Sequence, residues 1–260
     1  MTVEKILFEG CSFTASNGYT EVQQHKFHWP YLLQQHYQFE FTNTAIGGSS
    51  NDEIFGRALH GTVDSNYDLA VVQWSEIGRH CIYHAIDNID DYTRINRGFP
   101  SGFRFNDQAV QQYAKLHYAY FNNGYVNLRK WLLQIIALAG YFESRGQNYI
   151  FIKGFENYIS QFESISYSVR DGFVGLLPEV KELLDFDQRP DDYLLKKIVD
   201  IQKLIQQVKN LNWLNFGGPS INDAKFDLSE DNIHPGADSN RALADQFIIY
   251  CNQKKLLTHD

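Results

Sequence analysis

The sequence predicts an α/β fold: a mostly parallel sheet with helices on both faces. Three observations predict it. Short apolar runs of strand length recur, at Lys5-Ile6-Leu7-Phe8, Phe39-Glu40-Phe41-Thr42, Leu69-Ala70-Val71-Val72 and Tyr149-Ile150-Phe151-Ile152. Stretches with apolar residues at helical spacing stand between them. The runs at 69–72 and 149–152 are apolar or aromatic throughout, the pattern of strands covered on both faces. Strands alternating with helices favour a parallel sheet, since parallel neighbours need a crossover connection.

The elements follow in order. Residues 4–9 read as a strand that ends at Gly10. Residues 29–38 read as a helix with Pro30 in its first turn. The alternating strand 39–42 is closed by Asn43 and Gly47-Gly48. Residues 51–63 carry Ile54, Phe55, Ala58, Leu59 and Val63 at helical spacing. After the strand at 69–72 comes a long segment of other character, first loop-like and aromatic with Gly98-Phe99-Pro100-Ser101-Gly102, then helical from Asp107 to Ser144. Past the strand at 149–152, residues 190–209 place Leu194, Leu195, Ile198, Ile201, Leu204, Ile205 and Val208 on one helix face. A last helix runs from about Ala237 to Asn252. The expectation is one domain over residues 1–260 with a helical and aromatic insertion at about 76–146. No internal repeat or low-complexity tract interrupts it.

Bulk properties set limits. A chain of 260 residues with 43% hydrophobic and 15% aromatic content can bury a sizeable core. A net charge of −8 argues against a general nucleic-acid binder, which needs clustered Lys and Arg. No segment reaches the roughly 18 consecutive apolar residues of a membrane span. The longest apolar stretch, Trp131 to Phe142, contains Gln134 and Gly140 and reads as a buried helix. Met1-Thr2-Val3-Glu4-Lys5 is not a basic region followed by an apolar run, so no signal peptide is expected and the location reads as cytoplasmic. Cys11, Cys81 and Cys251 are odd in number and far apart, which fits free thiols in a reducing compartment. Without a CxxC pair no zinc site is expected from them.

In parallel sheets, ligands sit outside the carboxyl ends of the strands. Ser12, Gly48 and Ser75 each follow a strand end. A serine hydroxyl is a weak nucleophile until a base takes its proton, and the base needs a partner to hold its tautomer. Asp231 and His234, three residues apart near the other end of the chain, supply an acid and an imidazole. Pro235 disfavours the α conformation at His234, so the histidine sits in an extended link and Asp231 can turn back to its ring. Each piece alone has a plain reading: Ser12 as a turn or cap residue, Gly47-Gly48 as a turn, Asp231 and His234 as surface residues. The order and combination carry the signal.

That ordered set resembles the SGNH (GDSL-type) hydrolase superfamily. The family's first block, a Gly-Asp-Ser run, matches Gly10-Cys11-Ser12; its second, an Asn then a Gly, matches Asn43 through Gly48; its last, Asp-x-x-His, matches Asp231 through His234. The resemblance implies a flavodoxin-like three-layer sandwich, Ser12 as nucleophile, His234 as base and Asp231 as its orienter. It also implies an oxyanion hole that includes the N–H groups of Ser12 and Gly48. The implied activity is a serine ester hydrolase working through an acyl-enzyme, in a family that often removes acetyl groups from sugars or cleaves lipid esters and thioesters; the aromatic insertion points among these to an O-acyl (acetyl) ester of a carbohydrate. Acyl transfer by the same residues and a non-catalytic binding module on the same scaffold are the alternatives. A small-molecule or glycan ester is the expected partner, and no cofactor or metal is expected.

Two departures stand out. Cys11 replaces the usual Asp, and a thiol is an alternative nucleophile. The family's Gly-x-Asn-Asp block is absent: the third strand ends Gln73-Trp74-Ser75-Glu76. Ser75, or Gln73 if it points into the site, is the candidate replacement donor to the oxyanion. Asn51, Trp74 and Arg79 are the candidate substrate contacts. His25 and His28 beside Trp29 suggest metal or sugar contact or a packed aromatic loop. His80 and His84 have the spacing of helical metal ligands but no third ligand. Tyr113, Tyr118, Tyr120, Phe121 and Tyr125 suggest sugar stacking, a subunit contact or core packing.

Overall fold

The computed structural model describes residues 5–63, 65–83, 92–95, 108–168, 170, 172–185, 189–215 and 218–257. Four parallel strands form the central sheet in the order β2-β1-β3-β6. They are β1 (Lys5–Glu9), β2 (Glu40–Asn43), β3 (Leu69–Trp74) and β6 (Asn148–Lys153). Ile6 lies beside Phe41 on one side and Leu69 on the other; Val72 lies beside Phe151. A single bridge from Phe151 to Trp213 extends the parallel order by a rudimentary fifth strand. Its short length explains why no apolar run announces it. The order reverses between β1 and β3, which makes the carboxyl ends of those strands the switch point where an open α/β sheet forms its crevice.

Alternation of side chains along β1 decides which helices cover which face. Phe8 points to one face and packs edge-on against Trp29 of α2 (Trp29–Tyr37), 5.2 Å between ring centroids. Trp29 in turn meets Phe247 of α10 (Ala237–Lys254). Leu7 points the other way, beneath Gly61 of α3 (Asn51–Val63). On that second face Phe142 of α5 (Gly124–Ser144) packs on Tyr149 and Phe151 of β6. The amphipathic helix α8 (Asp191–Lys209) packs outside α5. The sheet is therefore flanked by helices on both faces, the α/β architecture expected. Among the described residues no helix is long and apolar enough to cross a membrane. Cys11, Cys81 and Cys251 are buried thiols.

The segment after β3 differs from the expectation. A short antiparallel pair, β4 (His80–Tyr83) with β5 (Tyr92–Ile95), stands where a loop was expected. Gly98 to Gly102 and His84 lie outside the described residues. The long helix expected over 107–144 is broken: α4 (Gln108–Leu116) runs into a π turn at His117–Phe121, and α5 starts afresh. The break is local chemistry. Asn122 and Asn123 are extended, and the Asn123 side chain accepts the Val126 N–H as the new N-cap. Helix α1 (Glu21–Phe27) was not foreseen, because it buries no side chain and so leaves no apolar period; a Thr20–Gln23 capping box starts it. The remaining elements are α6 (Ile159–Glu163), the hairpin β7 (Ser166–Ser168) and β8 (Gly172–Val174), α7 (Pro178–Leu183) and α9 (Ile221–Ala224).

Candidate active site

The turn after β1 is built so tightly that Gly10 must be glycine. A Cβ there would lie 2.9 Å from Gln73 and from the Thr14 hydroxyl. The Cys11 carbonyl accepts the N–H groups of Thr14 and Ala15, a single helical turn with Ser12 at its first position. Ser12 is 7% exposed, and its hydroxyl and N–H make no hydrogen bond to a described residue. Gln73 holds this turn from below. Its Oε1 accepts from the Cys11 N–H (3.1 Å), the Cys11 thiol and the Thr14 hydroxyl, and its Nε2 donates to the Trp74 carbonyl (2.6 Å). Gln73 is fully buried, so it is a support of the Ser12 turn and not a donor to the cleft. Cys11 is buried too, its thiol pointing at Gln73.

The loop after β2 docks on the same turn. The Asn43 amide donates to the Thr14 carbonyl (2.7 Å), and the Ile46 N–H to the Gly10 carbonyl (3.2 Å). Ile46 to Ser49 form a turn closed by Ser49 N–H on the Ile46 carbonyl, with Gly48 at φ +79°. That conformation suits glycine and leaves the Gly48 N–H without a partner among the described residues.

A buried ion pair ties the two turns together. Arg57 of α3 grips Glu9 with Nε and Nη2, the shortest contact 2.6 Å. Glu9 also accepts from the Gly10 N–H and the Thr44 hydroxyl, while Arg57 reaches the Ser49 hydroxyl (2.8 Å) and the Gly10 carbonyl. Burial pushes the Glu9 carboxyl up, to about 7, against the pull of Arg57 and its other donors.

At the end of β3, two asparagines clasp the chain. Asn51 accepts the Ser75 N–H (2.7 Å) and donates to the Ser75 carbonyl (3.1 Å). Asn157, after β6, donates to the same carbonyl and accepts the Ile77 N–H. This corrects two expected substrate contacts. Asn51 is 5% exposed with its amide spent on Ser75, and Trp74 is fully buried against Phe151. Ser75 is also buried, and its hydroxyl has no hydrogen-bond partner among the described residues. Arg79, the third expected contact, does reach the site's wall. Its guanidinium lies over the Phe155 ring at 4.9 Å, and Phe155 stacks on Phe13 at 5.2 Å.

The far end of the chain completes the wall. Asp231 Oδ1 accepts from the N–H groups of Ile233 and His234 and from the Ser229 hydroxyl, while Oδ2 contacts His234 Nδ1 directly. Burial pushes the Asp231 carboxyl up, but those hydrogen bonds outweigh it and hold it well below the usual carboxylate range. With Nδ1 engaged, Nε2 is the ring nitrogen left for proton transfer. The His234 ring meets Phe13 edge-on at 5.9 Å. Gly18 lies so close to Asp231 and Ser229 that a Cβ there would come within 2.8 Å of the carboxylate. Tyr19 donates to the Pro235 carbonyl (2.8 Å). The two ends of the chain thus meet. No hydrogen bond runs from Ser12 to His234 among the described residues; they are neighbours through Phe13. Catalytic hydrogen bonds are often long before substrate binds.

His28 was not singled out as a support, yet it is one. Its Nε2 and the Trp29 indole N–H both bind the Phe13 carbonyl, at 3.2 and 3.0 Å. Burial pushes the His28 imidazole down to about 3, so it is neutral and acts as a fixed donor. The signal was present in the sequence as His28-Trp29, but nothing linked it to Phe13. His80 pairs with His117, stacked at 4.2 Å, and His25 packs on Tyr31. A groove of about 1080 Å³, lined by Tyr125, Arg129, Lys130 and Tyr193, contains none of these groups.

These shifts set a pH dependence of stability. His28 titrates near 6.5 unfolded and about 3 folded, so its contribution is full above pH 6.5 and is lost as the pH falls. Glu9 titrates near 4.5 unfolded and about 7 folded, so its contribution is full below pH 4.5 and is lost as the pH rises through 7. The two slopes oppose each other between 4.5 and 6.5. Below 4.5 the His28 slope stands without that opposition and the depressed Asp231 adds to it. Urea unfolding across this range is expected to show a shallow plateau, then a loss of about 1.4 kcal/mol per pH unit or more on further acidification. A stability that rises below pH 4.5 would contradict the assignment.

No family model matches the sequence, and no curated protein matches it. Solved structures do. The chain is similar to the psychrotrophic esterase EstA from a Pseudoalteromonas species (12% identity, 96% of this chain and 98% of that chain, TM-score 0.49). It is similar to the acetyl xylan esterase AlAXEase (14% identity, 94% and 98%, TM-score 0.45). A member of the lipolytic protein G-D-S-L family from Veillonella parvula is a third (12% identity, 95% and 97%, TM-score 0.43). Likeness at this level does not transfer a function, so the chemistry rests on the geometry above.

Proposed function

We propose that the protein is a divergent SGNH-type serine ester hydrolase. The observation that carries this reading is the meeting of the Ser12 turn with the Asp231–His234 pair across Phe13. Ser12 Oγ attacks the ester carbonyl while His234 Nε2 takes its proton. Asp231 holds the imidazole in the required tautomer and stabilises the imidazolium. The Ser12 and Gly48 N–H groups, both without partners among the described residues, bind the oxyanion. His234 then protonates the leaving alcohol, and water cleaves the acyl-enzyme with His234 again as base.

The substrate we propose is an O-acyl ester of a carbohydrate. Rings that could stack on sugar faces step away from Arg79: His80 on His117, His117 on Tyr113, with the Tyr118 hydroxyl on the Gly78 carbonyl. Rapid mixing with p-nitrophenyl acetate tests the core of the reading. A burst of about one p-nitrophenol per protein followed by steady turnover is expected. Release no faster than in buffer would refute it.

A further inference from the structure

Arg79 is poised for a ligand that the triad alone does not require. Its side chain is 14% exposed, and Nη1 is buried with no hydrogen-bond partner among the described residues. Among the described residues its acidic neighbour is Glu76, 4.0 Å from Nε and itself 53% exposed. A guanidinium taken out of water with an unmet N–H is costly unless an anion completes it. The head is also held in place. The Phe155 ring lies beneath it, and the Arg79 N–H closes a turn on the Glu76 carbonyl. Asn51 and Asn157 clamp the start of that turn at Ser75 and Ile77. Fixing the fork in advance lowers the ordering cost of binding an anion in two-pronged fashion. From Phe155 the ring contacts continue through Phe13, the residue after Ser12, to His234.

We infer that Arg79 binds an anionic group of the substrate, a carboxylate or a phosphate, so that the ester attacked by Ser12 belongs to a charged molecule. The inference rests on the hydrolase reading for the word ester, and on Arg79 alone for the anion. A chain with a net charge of −8 otherwise repels such a substrate, which makes a fixed guanidinium, met among the described residues by the exposed Glu76, a strong discriminator.

The test compares kcat/KM for p-nitrophenyl hydrogen succinate, which carries a carboxylate, with that for the neutral p-nitrophenyl valerate. The wild type is expected to favour the charged ester about tenfold or more. Arg79→Gln is expected to lower that ratio by about tenfold or more, and Arg79→Lys to retain part of it. A wild-type ratio near one, or a ratio unchanged in Arg79→Gln, overturns the inference while leaving the Ser12 chemistry standing. A second measurement needs no turnover. Succinate and inorganic phosphate are titrated calorimetrically into Ser12→Ala and into Ser12→Ala combined with Arg79→Gln or Arg79→Lys. Binding that weakens about tenfold without Arg79 supports the anion site even if neither ester is hydrolysed, and the tighter ion identifies the group. Equal binding with and without Arg79, or none at all, overturns it.

Discussion

Ser12→Ala is expected to lower turnover of p-nitrophenyl acetate by about 10⁴-fold or more, with the fold and the urea midpoint little changed. The reasoning is local. The Ser12 hydroxyl makes no hydrogen bond among the described residues, so its removal leaves none of their buried groups unmet. His234→Ala is expected to cost a similar factor. The double variant should be scarcely slower than either single one, because nucleophile and base act as one unit. Multiplying losses would show that the two residues work independently. A Ser12→Ala protein as fast as the wild type would remove Ser12 from the chemistry. Gln73, by contrast, accepts from Cys11 and Thr14, so Gln73→Ala acts on the position of the Ser12 turn and not on a reacting group.

Arg57→Met carries the second largest expected effect, on stability. The substitution keeps much of the apolar stem but leaves the Glu9 carboxylate, which has no exposed surface, without its cation. Breaking one side of a buried pair costs about 3–5 kcal/mol. The lower end is expected here, since Glu9 keeps the Gly10 N–H and the Thr44 hydroxyl and already favours its neutral form through burial. The midpoint of urea unfolding reads it directly, and a change below about 0.5 kcal/mol would show that the pair is dispensable. Activity should fall beyond the stability loss. Arg57 reaches the Gly10 carbonyl and Ser49, and Glu9 reaches Thr44, so this pair sets the spacing between the Ser12 and Gly48 N–H groups. A loss of 1 Å in such alignment is enough to cost about 10²-fold.

Much of the fold was legible because burial leaves a period. The strands at Lys5–Glu9, Leu69–Trp74 and Asn148–Lys153 and the helix Asn51–Val63 lie within a residue or two of the expectation. What burial does not mark was missed: α1, which buries nothing, and the fifth strand, which is one bridge at Trp213. The break before α5 was hidden because a π turn and an asparagine cap do not disturb an apolar pattern read over the whole segment.

The site divided along a similar line. Ser12, Gly48, Asp231 and His234 could be proposed because their spacing and order carry the resemblance. The residues that hold them could not. Glu9, Gln73 and His28 act through long-range contacts that only folding creates, and each reads in the sequence as an ordinary polar residue. Trp74 and Asn51 erred in the opposite sense. They stand at a strand end and a helix start that do face the crevice, but their own side chains turn into the protein.

The central claim is that Ser12 is an activated nucleophile. Labelling with a fluorophosphonate, followed by intact mass and peptide mapping, tests it most directly, since such a reagent needs a serine whose proton a base removes. The account predicts one equivalent on Ser12 in the wild type and none in His234→Ala. Absence of labelling in the wild type, labelling that persists without His234, or modification of Cys11 instead would contradict it.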